Sequence, residues 1–306
     1  MGTPRWPDEP VCHGQSVSEA FATILTHNFG RLDAWEEAAH DWDDIEGVHQ
    51  VRVAFRRMRS ACTTFRPAVP GRSTRRWRRR MRDLAGVLGP ARDLDVLVSE
   101  VLVPRGQELQ LPGLGPFSSA VDKVRTRAYG KVRRMLDGKR YARFKREFPA
   151  WCASHAWEDE VEAESASLRA PIETFAAQLL TAQYTVVQNT GETALPDDPV
   201  AMHRLRIECK KMRYLAEFFR GLFAEMGPFI AHLKSLQDLL GVMHDVAVTA
   251  DLVESIVGRA PGRDLQRFAG ALVGWRSYEH LLLRGAFAER WREFMVGEVA
   301  WSAEMI

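Results

Sequence analysis

At 306 residues, 46% of them hydrophobic and 27% charged, the chain has enough apolar content to fold as one large domain or two of ordinary size, which excludes a disordered chain. No apolar run is long enough to cross a membrane, and the opening MGTPRWPDEPVCHG lacks a signal-peptide core, so we expect a cytoplasmic protein with no membrane partner. The net charge of +2 says little by itself, and the four scattered cysteines, Cys12, Cys62, Cys152 and Cys209, form no CxxC pair and argue against a disulfide frame or a zinc site.

The charge is segregated along the chain. Asp33, Glu36, Glu37, Asp41, Asp43, Asp44 and Glu46 make an acidic approach. Then His49 to Arg82 holds twelve arginines and no acid, so the rest of the chain carries −10. Within this stretch, VHQVRVAFRRMRSACTTF at 48–65 reads as a helix. Val51, Ala54, Phe55, Met58, Ala61, Cys62 and Phe65 fall on one apolar face at helical spacing. His49, Arg52, Arg56 and Arg59 fall in one narrow sector beside that face, and Arg57 points elsewhere. This basic ladder is about 15 Å long. Arg72, Arg75, Arg79 and Arg82 repeat the spacing on the next helix.

The pattern returns 154 residues later as MHRLRIECKKMRYLAEFF at 202–219. His203, Arg206, Lys210, Lys211 and Arg213 match His49, Arg52, Arg56, Arg57 and Arg59. Phe175 and Phe219 match Phe21 and Phe65. Downstream, LAGVLGPARDLDVL at 84–97 matches LQDLLGVMHDVAVT at 236–249 at an offset of 152, pairing Asp93 with Asp245. The helix matching Arg72–Arg82 is far less basic, with Lys234 opposite Arg82. Two related halves are the simplest explanation. Their expected bounds are 15–157 and 171–297, joined by an acidic, solvated linker at 158–170.

Strand signals are nearly absent, so the fold class expected is all-α, with roughly four or five helices per half in a pair of bundles. The breaks expected are Arg66-Pro67 to Gly71, Gly89-Pro90, Pro104 to Pro116, Gly138, Pro196 to Pro199, Gly227-Pro228 and Pro261-Gly262. Asp93 and Asp245 follow a glycine-containing break and read as helix caps or as groups orienting an arginine. Trp77, Trp275 and Trp291 sit at helical spacing among apolar neighbours and read as core.

A charge run is usually a solvated face. Here like charges four residues apart repel by a few tenths of a kcal/mol per pair, about the cost that interleaved acids would remove. The ladder also occurs twice, each time beside a core stripe, where it would line a groove between helices. Arginine presents a planar fork suited to phosphate oxygens and keeps its charge at physiological pH. An extended polyanion is the expected counter-ion.

VHQVRVAFRRMRS followed by RP, LGPARDLDVL, MHRLRIECKKMRYLAEFF and LQDLLGVMHDVAV resemble the CHAD family, the conserved-histidine α-helical domain; LDGKRYARF at 136–144 and WREF at 291–294 resemble its later helices. The resemblance spans about residues 15–297. It implies two four-helix bundles related by a pseudo-two-fold axis around a basic channel that binds inorganic polyphosphate, in some members at polyphosphate granules. It also implies ligand-facing roles for His49, Arg52, Arg56, Arg57, Arg59, His203, Arg206, Lys210, Lys211 and Arg213, and secondarily for Arg75, Arg79, Arg82 and Lys234. As phosphate donors the two histidines would be protonated or would donate from one nitrogen, and their binding would weaken as pH rises; the alternative is a helix-end histidine bonded to a neighbouring acid or carbonyl.

Two other readings compete. For a metal-dependent phosphohydrolase, His244-Asp245 and His203 are the ligands available, but Arg92 stands where the second half has His244. The ExExK signature of triphosphatase domains that accompany CHAD domains has its nearest string in Glu160-Val161-Glu162-Ala163-Glu164, which lacks the lysine. The expectation is a non-catalytic binding protein with no metal or other cofactor. Nucleic-acid binding is the stronger alternative, because any arginine-rich groove attracts phosphates, although no helix-turn-helix or base-stacking motif is evident.

Overall fold

The computed structural model describes residues 11–106, 108–161, 166–258, 262–297, 299 and 301, with only the backbone of His244, Asp245, Ala247 and Val248. Among the described residues every regular element is helical. The long helices are α1 (Val17–Trp35), α2 (Ile45–Thr64), α3 (Arg72–Val96), α4 (Leu114–Leu136), α5 (Lys139–Ala153), α6 (Ile172–Glu192), α7 (Pro199–Phe218), α8 (Met226–Val257) and α9 (Arg263–Val296).

Local chemistry sets their starts. Ser16 and Glu19 cap α1 reciprocally. Asp44 and Asp198, matched by the 154-residue offset, each accept a backbone N–H in the first turn of α2 and α7, and both helices run 20 residues. The starts of α3 and α8 also keep the offset. The correspondence in element bounds ends there. The chain breaks at Gly138 between α4 and α5, whereas α9 continues unbroken for 34 residues.

The apolar stripe of α2 is buried throughout, from Val51 to Phe65. Phe65, just past the end of α2, has its ring centroid 5.1 Å from Phe21, 5.5 Å from Phe175 and 6.1 Å from Phe219. Phe65 and Phe219 are thus matched in sequence and in contact in space. Backbone hydrogen bonds from Val17 to Ala170 and from Ile172 to Gln15 tie the start of α1 to the start of α6. On α3, the fully buried Asp95 accepts from the Arg125 guanidinium at 2.7 Å and from the Tyr129 hydroxyl at 2.7 Å, which locks α3 to α4. Gly113 opens α4 at φ 111°, and a β-carbon there would lie 2.2 Å from the Asp264 carbonyl oxygen, so only glycine lets α4 approach the start of α9.

Several expectations need correction. The Gly89-Pro90 break does not occur, because α3 runs through Pro90. The buried row Leu84, Leu88, Ala91 and Leu94 continues across that point, and its packing outweighs the hydrogen bond that proline cannot make. Asp93 is therefore inside a helix and caps none. The side chain of Asp245 and the break at Pro261 lie outside the described residues. Gly227-Pro228 falls in the first turn of α8, where proline is tolerated.

The acidic segment is partly structural. Both Glu160 carboxylate oxygens accept from the Ser73 N–H at 3.0 Å, at the start of α3. Burial works to raise the Glu160 carboxyl, but the Ser73 hydrogen bonds prevail and hold it below its usual range. Glu162 and Glu164 lie outside the described residues. Trp77 is core, but Trp275 is 38% exposed, with the Arg105 guanidinium 5.4 Å from its ring. Trp291 is half-buried against Gly191 of α6.

Candidate functional site

The C-terminal halves of α2 and α7 come together through an ion pair between Arg57 and Glu217 and through the Phe65–Phe219 contact. Beside this meeting lies a cavity of about 700 Å³. Arg56 and Arg59 enter it from α2, Arg78 from α3, Gln183 from α6, and Lys210, Lys211 and Tyr214 from α7. No acidic residue lines it among the described residues.

The wall is rich in donors and short of acceptors. The Nε atoms of Arg56 and Arg59 are buried and make no hydrogen bond among the described residues, and the same holds for the Tyr214 hydroxyl. Arg78 spends one N–H on the Thr63 hydroxyl at 3.0 Å. Burial pushes the Arg56 guanidinium below its usual range; Arg213, Arg52 and Arg57 add to this, while Tyr214 opposes it. Arg59 is pushed the same way by burial and then by Arg78, Arg82 and Arg52. Buried polar groups normally have partners, and each one without costs about 1–3 kcal/mol. A ligand made of acceptors would remove that cost.

Tyr214 organises the cations. Its ring centroid lies 5.4 Å from the Arg56 guanidinium carbon and 5.7 Å from those of Arg57 and Arg213, so groups from both ladders share one ring.

The expected site residues separate into groups. Arg56, Arg59, Lys210 and Lys211 meet in this cavity. Lys211 is bonded to Glu208 at 2.7 Å. Arg57 does not line it: the side chain is buried, paired with Glu217, and stacked 5.3 Å from Phe218. Arg213 lies 3.5 Å from Glu217 and likewise serves the junction of the two helices. Arg75, Arg79 and Arg82 are exposed on α3 and stay out of the cavity, and Arg78 enters instead. Arg75 turns back to the Pro70 carbonyl at 2.6 Å, and Arg82 lies 3.5 Å from Asp83. Lys234 is exposed on α8 and lines no part of the cavity.

The heads of the two ladders lie apart from this cavity. His203 and Arg206 line a second cavity of about 530 Å³ with His280, Arg284, Leu240 and Met243. They precede Lys210 on α7 by one to two turns, about 6–10 Å along the axis. Arg52 packs against α3 where Gly89 leaves room: a β-carbon there would sit 3.2 Å from its guanidinium. His49 is half-buried, and its pKa is lowered to about 4, first by burial and then by Arg92, with Arg56 and Arg31 adding and Glu46 opposing. A protonated His49 at neutral pH, one of the two forms in which it was expected to meet phosphate, is therefore excluded in the free protein.

Tyr214 and Arg78 escaped the sequence reading. Tyr214 stands where the first half has Ser60, a departure from the repeat that was the available signal. Arg78 was hidden inside RRWRRR, where helical spacing favours several registers equally.

No helix among the described residues is long and apolar enough to cross a membrane, and no group of three or more His, Cys, Asp or Glu among them could hold a metal ion. The side chains of His244 and Asp245 lie outside the described residues.

The model of the CHAD domain family matches residues 23–254. Two uncharacterized proteins of Mycobacterium tuberculosis, MT2285 of strain CDC 1551 / Oshkosh and Rv2226 of strain ATCC 25618 / H37Rv, are each 28% identical over 274 residues, covering 85% of this chain and 48% of their own length. The chain thus spans about half the length of these curated relatives. The crystal structure of the CHAD domain from the plant Ricinus communis aligns with a TM-score of 0.83 at 23% identity, covering 97% of this chain and 98% of that one. PptA from Streptomyces chartreusis aligns at 0.67 and 17% identity, covering 91% and 100%. At such identities these two structures speak to the fold.

Proposed function

The chain belongs to the CHAD family, and on that premise we propose that it binds inorganic polyphosphate along the basic faces of α2 and α7, without catalysing a reaction on it. One observation carries the reading: both ladders deliver cations to a single cavity whose lining holds no acid among the described residues and leaves Arg56, Arg59 and Tyr214 donors without acceptors. Polyphosphate is a chain of acceptors with a negative charge on every unit. Guanidinium forks on a helical rise match such a ligand better than they match a neutral one. Arg56, Arg59, Arg78 and Lys210 bind its centre, Arg52 and His49 continue the path at one end, and Arg206 and His203 continue it at the other. Arg57 and Arg213 hold the two helices at their junction.

The test is a binding titration with polyphosphates of graded length, in competition with single- and double-stranded nucleic acid at matched charge. Affinity should rise with chain length until the path is filled, and polyphosphate should win the competition. Equal or tighter binding of either nucleic acid would assign the groove to nucleic acid instead.

A further inference from the structure

A second basic cavity, of about 580 Å³, lies on the other side of α3. Arg80 and Asp83 face it from α3, Arg134 from the end of α4, and Lys139, Arg140 and Arg143 from the start of α5. At 100° per residue, Arg80, Leu84 and Val87 point roughly 120–180° away from Arg78, so α3 shows one basic face to each cavity. The two cavities share no lining residue. Five cations meet one acid in this lining.

The cations fall into two kinds. Arg80 and Arg143 share the Glu147 carboxylate, at 3.2 and 2.6 Å, and form a fixed rim. Arg134, Lys139 and Arg140 make no ion pair among the described residues. Leu84, Val87, Met135 and the buried Phe144 line the remainder. The volume falls within the range of about 300–1,000 Å³ usual for small-ligand sites. Lys139 and Arg140 also occupy the first turn of α5, which has no acidic residue and no capping side chain. Cations are unfavourable at a helix N-terminus, so this cluster is poorly balanced without an anion.

We propose that this cavity is a second, separate site for a compact ligand with clustered phosphoryl groups, of the size of inorganic tripolyphosphate or the phosphate end of a nucleoside triphosphate. Arg134, Lys139 and Arg140 contact the phosphoryl oxygens, and the apolar wall receives whatever the phosphates carry. The proposal does not rest on polyphosphate binding in the groove.

The test uses the full chain. In an Arg56→Glu background, which weakens groove binding, tripolyphosphate and ATP are titrated by calorimetry. Arg134→Glu/Arg140→Glu should then weaken the remaining tripolyphosphate binding by more than about tenfold, as expected for lost charge-assisted contacts. Arg263→Glu/Arg267→Glu, with the same change of charge on exposed positions of α9, should leave it unchanged. With Arg56 intact, Arg134→Glu/Arg140→Glu should leave long-chain affinity within about twofold. ATP binding more tightly than tripolyphosphate assigns the ligand to the nucleotide class; the reverse assigns it to inorganic oligophosphates. Absence of tripolyphosphate and ATP binding in the folded Arg56→Glu background, or equal losses in the α9 control, overturns the second site. An unchanged long-chain affinity in Arg56→Glu overturns the groove reading instead.

Discussion

The Arg56 guanidinium lies 5.4 Å from the centroid of the Tyr214 ring, joining a cation of the first half to an aromatic ring of the second. Tyr214 therefore sets where the Arg56 charge stands. A cation–π contact is worth about 0.5–2 kcal/mol, or roughly 2–30-fold in affinity. Tyr214→Leu should weaken long-chain polyphosphate binding within that range, while Tyr214→Phe, which keeps the ring, should lose less. Titration alongside a melting curve checks this, and a Leu variant that is equally stable and binds like the parent would remove Tyr214 from the site.

Arg56 and Arg57 are neighbours with opposite expected effects on stability. Arg57→Ala removes the buried one of the two arginines that pair with the half-buried Glu217, leaving it only the 3.5 Å contact to Arg213, and should cost about 1–3 kcal/mol in urea unfolding. Arg56→Ala removes one of several like charges and no acidic partner, so stability should hold or rise by a few tenths of a kcal/mol. If the Arg56 variant loses as much stability as the Arg57 variant, the ladder is a packing device.

Salt should weaken binding steeply. By analogy with single-stranded nucleic acid, log affinity should fall with log salt by about 0.7 per phosphate contact, or about 3 for four contacts. Arg56→Glu and Arg59→Glu should lower both the affinity and the slope. A slope near zero would mean that binding is not led by charge.

The folded pKa of His49 lies near 4, below its ordinary 6.5. The unfolded chain therefore holds the extra proton between these values. The stability that comes from keeping His49 neutral is complete above about 6.5 and is lost as pH falls towards 4 and below. At about 1.4 kcal/mol per decade the full effect is roughly 3 kcal/mol. His49→Gln should flatten the stability profile in that window, as read by unfolding at pH 4.5 and 7. A docked polyanion would raise the pKa of His49, so binding near pH 5 should take up a proton, measurable by calorimetry in buffers of different ionisation enthalpy. No such uptake would mean that the ligand does not reach His49.

Helices were legible because each carries its own signal. The α2 stripe, the Asp44 and Asp198 caps and the Gly138 break are all local patterns. Pro90 was misread because tertiary packing decides whether a helix survives a proline. The candidate cavity was legible in outline, since Arg56, Arg59, Lys210 and Lys211 were expected together and do meet. Helical spacing cannot say which face of a neighbouring helix turns inwards, so Arg75, Arg79 and Arg82 were chosen over Arg78. Nor does spacing report a cross-half partner, and Glu217, eight residues beyond Cys209 on α7, is what takes Arg57 out of the site.

The stretch of α3 from Arg72 to Arg82 carries seven arginines, whereas the matching stretch of α8, residues 226–236, carries His232 and Lys234. Arg78 of α3 stands beside Arg59, while Leu240 and Met243 of α8 flank His203 and Arg206. A chain lying across both would be gripped at its centre and loosely held at the α8 end. Release would then begin by peeling from the α8 end, and the same end would be open to an exopolyphosphatase. Digestion of the complex should stop at a protected fragment, and Arg78→Glu should shorten that fragment more than Lys234→Glu. Equal trimming by the two variants would show the grip to be even.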